Sequence, residues 1–400
     1  MTKHVTMSEW KEYRLGDFLK VKHGYAFKGE NIVTEETPNI LVTPGNFNIG
    51  GGFKSDKFKY YKGDEFPKEY ILTSGDIVVT MTDLSKDSDT LGYSAKIPYS
   101  TTHNYLHNQR IGLVQFTNED ICRDFVYWLM RTREYQSYIV GSASGTSIMH
   151  TSPSRIEDYR CFFPSPSEQE SIASILTSID DKIDLLHREN ATLEVMAETL
   201  FRQWLIEEAK DHWNEIPLTK IANFTNGLAC QKYPPKNDID KLPVLKIREL
   251  ANGISSDSDY ATTEVANEYI VHAGDVIFAW SASLMVKIWD GEDCILNQHL
   301  FKVTSDSFPK WFYYCWCKYH LNEFITIAQS HATTMGHIKR GDLENALALV
   351  PSNNELKVMS DQFDCIIQKL ENNNKEICTL IQTRDNLLPK LMNREITIHG

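Results

Sequence analysis

The sequence predicts an α+β protein: two tandem mixed α/β domains, each followed by a long helix, with the two helices packed as an antiparallel coiled coil. Three observations lead there. Motifs of the first half of the 400-residue chain recur in the same order in the second, short β-type runs alternate with turn residues inside each copy, and a heptad-spaced apolar seam follows each copy. A chain of this length suits two or three domains better than one core. The expected boundaries are a first domain over 1–166, a first long helix over 167–211, a second domain over 212–351 and a second long helix over 352–400.

The repeat can be followed from end to end. "EWKEYRLGDFLKVKHGYAFK" (9–28) answers to "HWNEIPLTKIANFTNGLACQK" (212–232), with Trp10 over Trp213, Leu15 over Leu218 and Gly24 over Gly227. "YILTSGDIVVTMTD" (70–83) answers to "YIVHAGDVIFAWSA" (269–282), and the "HNQRIGLVQF" run places Asn108 and Gln109 over Asn297 and Gln298. From there Thr146 falls over Thr333, His150 over His337 and Pro164-Ser165 over Pro351-Ser352, at a constant spacing of 187. Earlier spacings are 203, 199 and 189, so insertions and deletions collect inside the globular part of each copy.

Within each copy, β-type runs at Ile40–Val42, Ile77–Thr80 and Ile111–Phe116, and at Val244–Ile247, Val276–Trp280 and Leu300–Val303, are separated by Gly, Asn and Asp turns. One helical stretch then follows in each, over 124–139 and 310–328. After Pro164 and Pro166, Ser167 with Glu170 reads as a capping-box start. The seam beyond it runs Ile172, Leu176, Ile179, Ile183, Leu186, Asn190, Leu193, Ala197, Leu200, Trp204. The second seam is Met359, Phe363, Ile366, Leu370, Asn373, Ile377, Leu380, Arg384, Leu387, Leu391. Two amphipathic helices packed separately on their own domains would satisfy the periodicity alone. An antiparallel pair also accounts for the polar residues, because pairing about equivalent positions brings Asn190 opposite Asn373, a register device.

Composition bounds the function. The net charge is −13, but the domains are nearly balanced and 167–211 carries 4 basic against 11 acidic residues, so acidity marks one segment and does not veto nucleic acid. No apolar run approaches a membrane span and the N-terminus lacks a signal-peptide layout, which leads to the expectation of a cytoplasmic protein. The eight cysteines show no metal-ligand spacing and read as reduced thiols. No phosphate-binding Walker loop, no Asn-Pro-Pro-Tyr or Asp-Pro-Pro-Tyr and no F-x-G-x-G are present, and "KYPPK" (232–236) has the wrong order. His150 and His337 recur without ligand-spaced partners and read as turn or core residues. The expectation is a chain that binds and does not catalyse.

The whole chain resembles the specificity subunit of type I restriction-modification systems. The resemblance rests on "YRLGDFLKVKHGYAFK" opening each domain, the Gly-Asp-apolar strand, the Asn-Gln strand and the "SGT" loop before "FFPSPSEQESIASILTSID"; the second copy departs with "SHATT" for "SASGT" and "NNELK" for "SEQES". It implies two target recognition domains, each reading one half of a bipartite, asymmetric site in double-stranded DNA. It further implies helices that set the spacer and dock two methyltransferase (modification) subunits, with restriction or translocase subunits as further partners, and no membrane. No cofactor is expected in this chain; S-adenosylmethionine is expected in the partner subunit. A coiled-coil scaffold or adaptor presenting two protein-binding domains is the alternative, and the acidic helix segment fits it.

Base edges call for Arg, Asn and Gln, and phosphates for Lys, Arg and small hydroxyls. In the first domain, candidate DNA contacts are Asn46, Asn48, Lys54, Lys57, Lys59 and Lys62 in a glycine-rich loop, Ser85 and Lys86, then Asn108, Gln109, Arg110 and Thr146. The 46–63 loop reads equally as a mobile arm at a groove or as a solvated hairpin, while Asn-Gln reads first as a strand-end cap and second as a DNA contact. In the second domain the candidates are Lys246, Arg248, Trp280, Ser281, Ser283, Lys287, Asn297, Gln298 and His299, followed by Thr333, Thr334, Lys339 and Arg340.

Overall fold

A computed structural model describes residues 10–396 except 56, 84–88, 146–147, 256 and 331–335. It divides into two compact units, 1–181 with 382–400, and 182–381, so each unit holds a segment of both long helices.

In the first unit, β1 (Leu19–His23), β2 (Asn39–Val42), β3 (Ile77–Thr80), β4 (Ser94–Lys96), β5 (Asn104–His107) and β6 (Ile111–Phe116) form the body of two sheets. One is antiparallel in the order β1-β6-β3-β4. The other contains the parallel pair β2 and β5. The expected single helix over 124–139 is two, α1 (Arg123–Leu129) and α2 (Arg133–Ser142). Thr132 causes the break: its hydroxyl donates to the Leu129 carbonyl at 2.8 Å and accepts from the Tyr135 N–H at 3.3 Å, closing one helix and capping the next. The long helix α3 spans Pro166–Arg202. Its N-cap is Ser165, not Ser167: the Ser165 hydroxyl accepts from Glu168 N at 3.4 Å, and Pro166 takes the first helical position, where its missing N–H costs nothing.

The second unit repeats the plan with β7 (Asn223–Asn226), β8 (Lys241–Leu245), β9 (Val276–Ala279), β10 (Met285–Ile288), β11 (Cys294–Leu296) and β12 (Leu300–Thr304). The antiparallel order is β7-β12-β9-β10, and β8 runs parallel to β11. The expected strand over Val244–Ile247 stops at Leu245, because the Glu249 carboxylate accepts from Lys246 N at 3.3 Å and caps a short helix beginning at Ile247. The stretch over 310–328 again divides, into α4 (Lys310–Tyr319) and α5 (Leu321–Ser330), with the His320 ring between them bonded to the Leu347 carbonyl at 2.9 Å. After α6 (Arg340–Asn345), the second long helix α7 spans Asn353–Met392. Ser352 and Glu355 cap it reciprocally, the Glu355 carboxylate accepting from Ser352 N at 3.0 Å.

The repeated Gly-Asp is a turn that launches a buried strand. Gly75 and Gly274 have φ of 85° and 94°, and Asp76 and Asp275 each accept from the N–H three residues back at 2.8 Å. Only glycine adopts that φ without strain.

The long helices close both cores, running antiparallel within each unit. In the first unit Ile172, Ala173 and Leu176 join Leu388, Leu391 and Met392 in the cluster that contains Trp128. In the second, Ala197, Phe201 and Leu205 join Phe363, Ile366 and Leu370 against Trp311 and Trp316. Asn373 Nδ2 donates to Asn190 Oδ1 at 2.9 Å and to Glu189 at 3.0 Å, while Asn190 Nδ2 donates to Asn374 Oδ1 at 2.6 Å. The pair is therefore not fully reciprocal, and the buried Asn373 Oδ1 has no partner among the described residues.

In the first unit the seam is crossed by an ionic triad. The Asp180 carboxylate meets Arg131 at 2.8 Å and Arg384 at 2.6 Å, and the Arg131 side chain is only 3% exposed. Burial pushes the Asp180 carboxyl up, but the two guanidinium groups outweigh it and hold the group below the ordinary carboxylate value.

Asn190→Leu should cost about 1–3 kcal/mol in chemical denaturation, because it strips an acceptor from buried Asn373. Adding Asn373→Leu should recover much of that loss. Strictly additive losses would contradict the pairing. A depressed folded-state pKa at Asp180 contributes stability that is fully present above its unfolded value, about 3.9, and is lost as pH falls from there through the lower folded-state value. Asp180→Asn should therefore destabilise by about 3–5 kcal/mol at neutral pH, since it leaves buried charge uncompensated. The gap between variant and parent, followed by urea midpoint, should narrow below about pH 4.

Candidate functional site

The sequence candidates separate by what their side chains already hold. In the first unit, Asn46 is 1% exposed; its Oδ1 accepts from Thr43 N at 3.0 Å, and its Nδ2 donates to the carbonyls of Lys54 and Lys57 at 3.3 and 3.1 Å. It anchors the loop from inside and is not free to meet a base. Asn48 Nδ2 reaches the Phe53 carbonyl at 3.4 Å, while Lys57, Lys59 and Lys62 are exposed and Lys54 is half-buried.

The 46–63 loop is tied down at its glycines. Gly50, Gly51 and Gly52 have φ of 83°, 86° and 93°, and Gly52 N donates to the Ser94 carbonyl at 2.8 Å. Arg131 donates to the Gly50 carbonyl at 3.0 Å and lies over the Trp128 ring at 4.3 Å. A Cβ on Gly51 would sit 2.6 Å from Arg131 Cγ, so this close approach requires glycine. The same guanidinium that meets Asp180 thus fixes the turn that carries Ile49, which is 67% exposed.

Asn108 is buried, and its Oδ1 accepts from Arg110 N at 2.9 Å; Asn297, its repeat counterpart, accepts from His299 N at 3.3 Å. Both asparagines cap the turn between two strands. Gln109 and Arg110 are exposed beside the first, and half-buried Gln298 and His299 sit beside the second. Ser85, Lys86, Thr146, Thr333 and Thr334 lie outside the described residues.

In the second unit several candidate cations are already paired. Lys246 pairs with Asp259, Arg248 holds Glu249 at 2.7 Å and the Asp257 carbonyl at 2.9 Å, and Lys287 holds Asp290 at 3.0 Å. These pairs shape the surface around the 247–252 helix, and Lys339 caps α6 by donating its backbone N–H to Asp342 at 2.7 Å. Arg340 differs: its side chain is 87% exposed and only 3.9 Å from Glu344, a contact worth little in water.

Trp280, Ser281, Gln298, His299 and Arg340 are brought to one end of the β7-β12-β9 face. Trp280 stacks on Phe301 with centroids 5.6 Å apart and planes at 26°, and its Nε1 donates to Asn226 Oδ1 at 3.2 Å. Ser281 Oγ lies 3.1 Å from His299 Nδ1, and the His299 ring centroid is 5.9 Å from Trp280. A cleft of about 400 Å³ opens there, walled by Phe224, Phe301 and Trp280 and rimmed by Asn226 and Arg340. Ala282, next after Ser281, has φ +56°, held by its N–H on the Gly336 carbonyl at 2.8 Å, while Ser283 is exposed. A non-glycine residue in the left-handed region stores strain, and such strain gathers at functional sites.

Reading by residue type missed Asn226, Phe224 and Phe301. The repeat carried the signal: Phe301 falls over Gly112 and Trp280 over Met81, aromatic rings where the other copy has small or flexible side chains.

Among the described residues no cluster of three or more His, Cys, Asp or Glu side chains could hold a metal ion, and no helix is long and apolar enough to cross a membrane.

A family model for the type I restriction modification DNA specificity domain matches residues 7–195 and again 210–381. The chain is 24% identical over 307 residues to the type I restriction enzyme MjaIX specificity subunit of Methanocaldococcus jannaschii, covering 70% of each protein. It is 26% identical over 163 residues to the Escherichia coli EcoBI specificity subunit, covering 40% of this chain and 34% of that one. Its fold matches a crystal structure of a type I restriction-modification S subunit from M. genitalium with TM-score 0.55 and 17% identity, over 98% of both chains.

Proposed function

Because the chain belongs to the family of type I restriction-modification DNA specificity subunits, we propose that its two units read the two halves of one bipartite, asymmetric site in double-stranded DNA. It is a recognition component, not an enzyme. The observation that carries the reading is the doubled family domain on one chain, with the same strand register in both copies and different side chains on equivalent faces. One scaffold used twice offers two unlike surfaces to one duplex, while the pseudo-repeat offers matched surfaces to two identical modification subunits. Those subunits would bring S-adenosylmethionine and the methyl-transfer chemistry, in the cytoplasm, with restriction or translocase subunits joining the same assembly.

The long helices are the proposed ruler between half-sites. Their length is independent of the loops that vary between the copies. The alternative of a protein-binding scaffold makes a different demand, since such a scaffold gains no sequence selectivity when a modification subunit joins it.

Exchanging residues 30–125 for those of a relative should change one half-site and leave the other half and the spacer as they were, scored by mapping methylated bases in DNA treated with the reconstituted complex. Changes in both halves would defeat the assignment of one unit to each. Inserting four residues near position 188 adds about 6 Å of helix, close to two base pairs at about 3.4 Å each. The same mapping should then show a longer spacer, or binding should be lost, with both half-sites unaltered. An unchanged spacer with full binding would remove the helices as the ruler.

A further inference from the structure

The two units share a strand register but not a surface. In the first, Gly112 of β6 pairs across to His23 of β1 and Val79 of β3. In the second, Phe301 of β12 pairs across to Asn226 of β7 and Phe278 of β9. Gly112 and Phe301 are thus the same place in two copies of one sheet, and Met81 and Trp280 follow two residues after Val79 and Phe278 on the same face.

What fills that place differs in kind. In the first unit the site is shut: a Cβ on Gly112 would lie 2.5 Å from Val21 and 3.2 Å from the Met81 sulfur, and Met81 is buried. In the second unit the same positions build an open wall of Phe224, Phe301 and Trp280 beside the cleft of about 400 Å³, a size within the range of small-ligand sites.

We propose that this wall is a stacking platform for a single nucleobase unstacked from the bound strand, present in the second unit alone. Three features select a base over another planar or apolar group. The aromatic faces offer stacking, which every base accepts whatever its sequence. Asn226, which accepts from Trp280 through its oxygen, keeps its amide N–H groups for a base edge. The exposed Arg340 guanidinium stands at the rim, where the phosphate attached to such a base would lie. Trp280 is locked from two sides, by Asn226 and by the Phe301 stack, so little side-chain freedom is lost when a base arrives.

The inference rests on the DNA-reading function, and its test separates the two. The full chain is titrated with a single-stranded twelve-residue oligothymidine, following tryptophan fluorescence, and the chain with its modification subunit is titrated with target duplex. Trp280→Met installs the residue that the first unit carries and should weaken oligothymidine binding about five- to 150-fold, the range for loss of one base–aromatic stack. Trp280→Tyr should restore most of the binding, and thermal melting of both variants should match the parent. Equal oligothymidine affinity in the parent and in Trp280→Met overturns the platform, as does selective duplex binding by a complex whose parent chain takes no oligothymidine. Loss of modification-subunit binding with unchanged oligothymidine affinity overturns it too and makes the wall a protein contact. If neither oligothymidine nor duplex is bound in any form, the DNA-reading function itself falls and the platform with it.

Discussion

Everything else in this protein depends on burying two apolar seams that cannot be buried alone. An isolated helix of about 40 residues with an apolar stripe along one side has no reason to stay straight or monomeric in water, since most helical stability comes from packing that stripe. Here each seam finds the other, and each unit borrows from both: Leu176 and Leu391 complete one core, Phe201 and Phe363 the other. The aromatic helices that follow the sheets, with Trp128 in one unit and Trp311 and Trp316 in the other, are shaped to receive that pair. Polar groups set within the seam then choose one register, at the cost of the unbonded Asn373 oxygen.

Much of this was legible from residue spacing because it rests on periodicity, and periodicity is local. The strands at Ile40, Ile77, Ile111, Val276 and Leu300, the two seams and the Asn190–Asn373 contact all follow from patterns that can be counted. The failures are equally physical. The 124–139 and 310–328 stretches are periodic through their breaks. The first is cut by the Thr132 hydroxyl, which closes one helix and caps the next, and the second breaks at His320, whose ring holds the distant Leu347 carbonyl. The start of α3 moved from Ser167 to Ser165 because both serines have a glutamate three residues on, and the proline at the first helical position favours the earlier one.

The site was less legible, since residue type says which side chains can touch DNA but not which are already engaged. Asn46 looked like a reader and is an internal brace; Lys246 and Arg248 looked like phosphate ligands and hold Asp259 and Glu249. The aromatic wall was hidden for the opposite reason: phenylalanine in a strand reads as core, and although the repeat sets it over a glycine, only the structure shows that the glycine has no room beside it. A repeat is most informative at the positions where its copies disagree.

Arg131 reaches both the Gly50 carbonyl and Asp180, and Lys318, at the equivalent point of the second copy, reaches Glu194 at 2.9 Å. The two acids sit on the same helix, one just before its middle and the other well past it. Gene-level shuffling therefore meets an unequal seam. A transplanted first domain keeps its acid if the first half of α3 travels with it, whereas a transplanted second domain leaves Glu194 behind in the host chain. That loss costs little, because Lys318 and Glu194 are 32% and 50% exposed, whereas Arg131 is 3% exposed against Asp180. The helix constrains the exchange of a first half more than that of a second, independently of either reading surface.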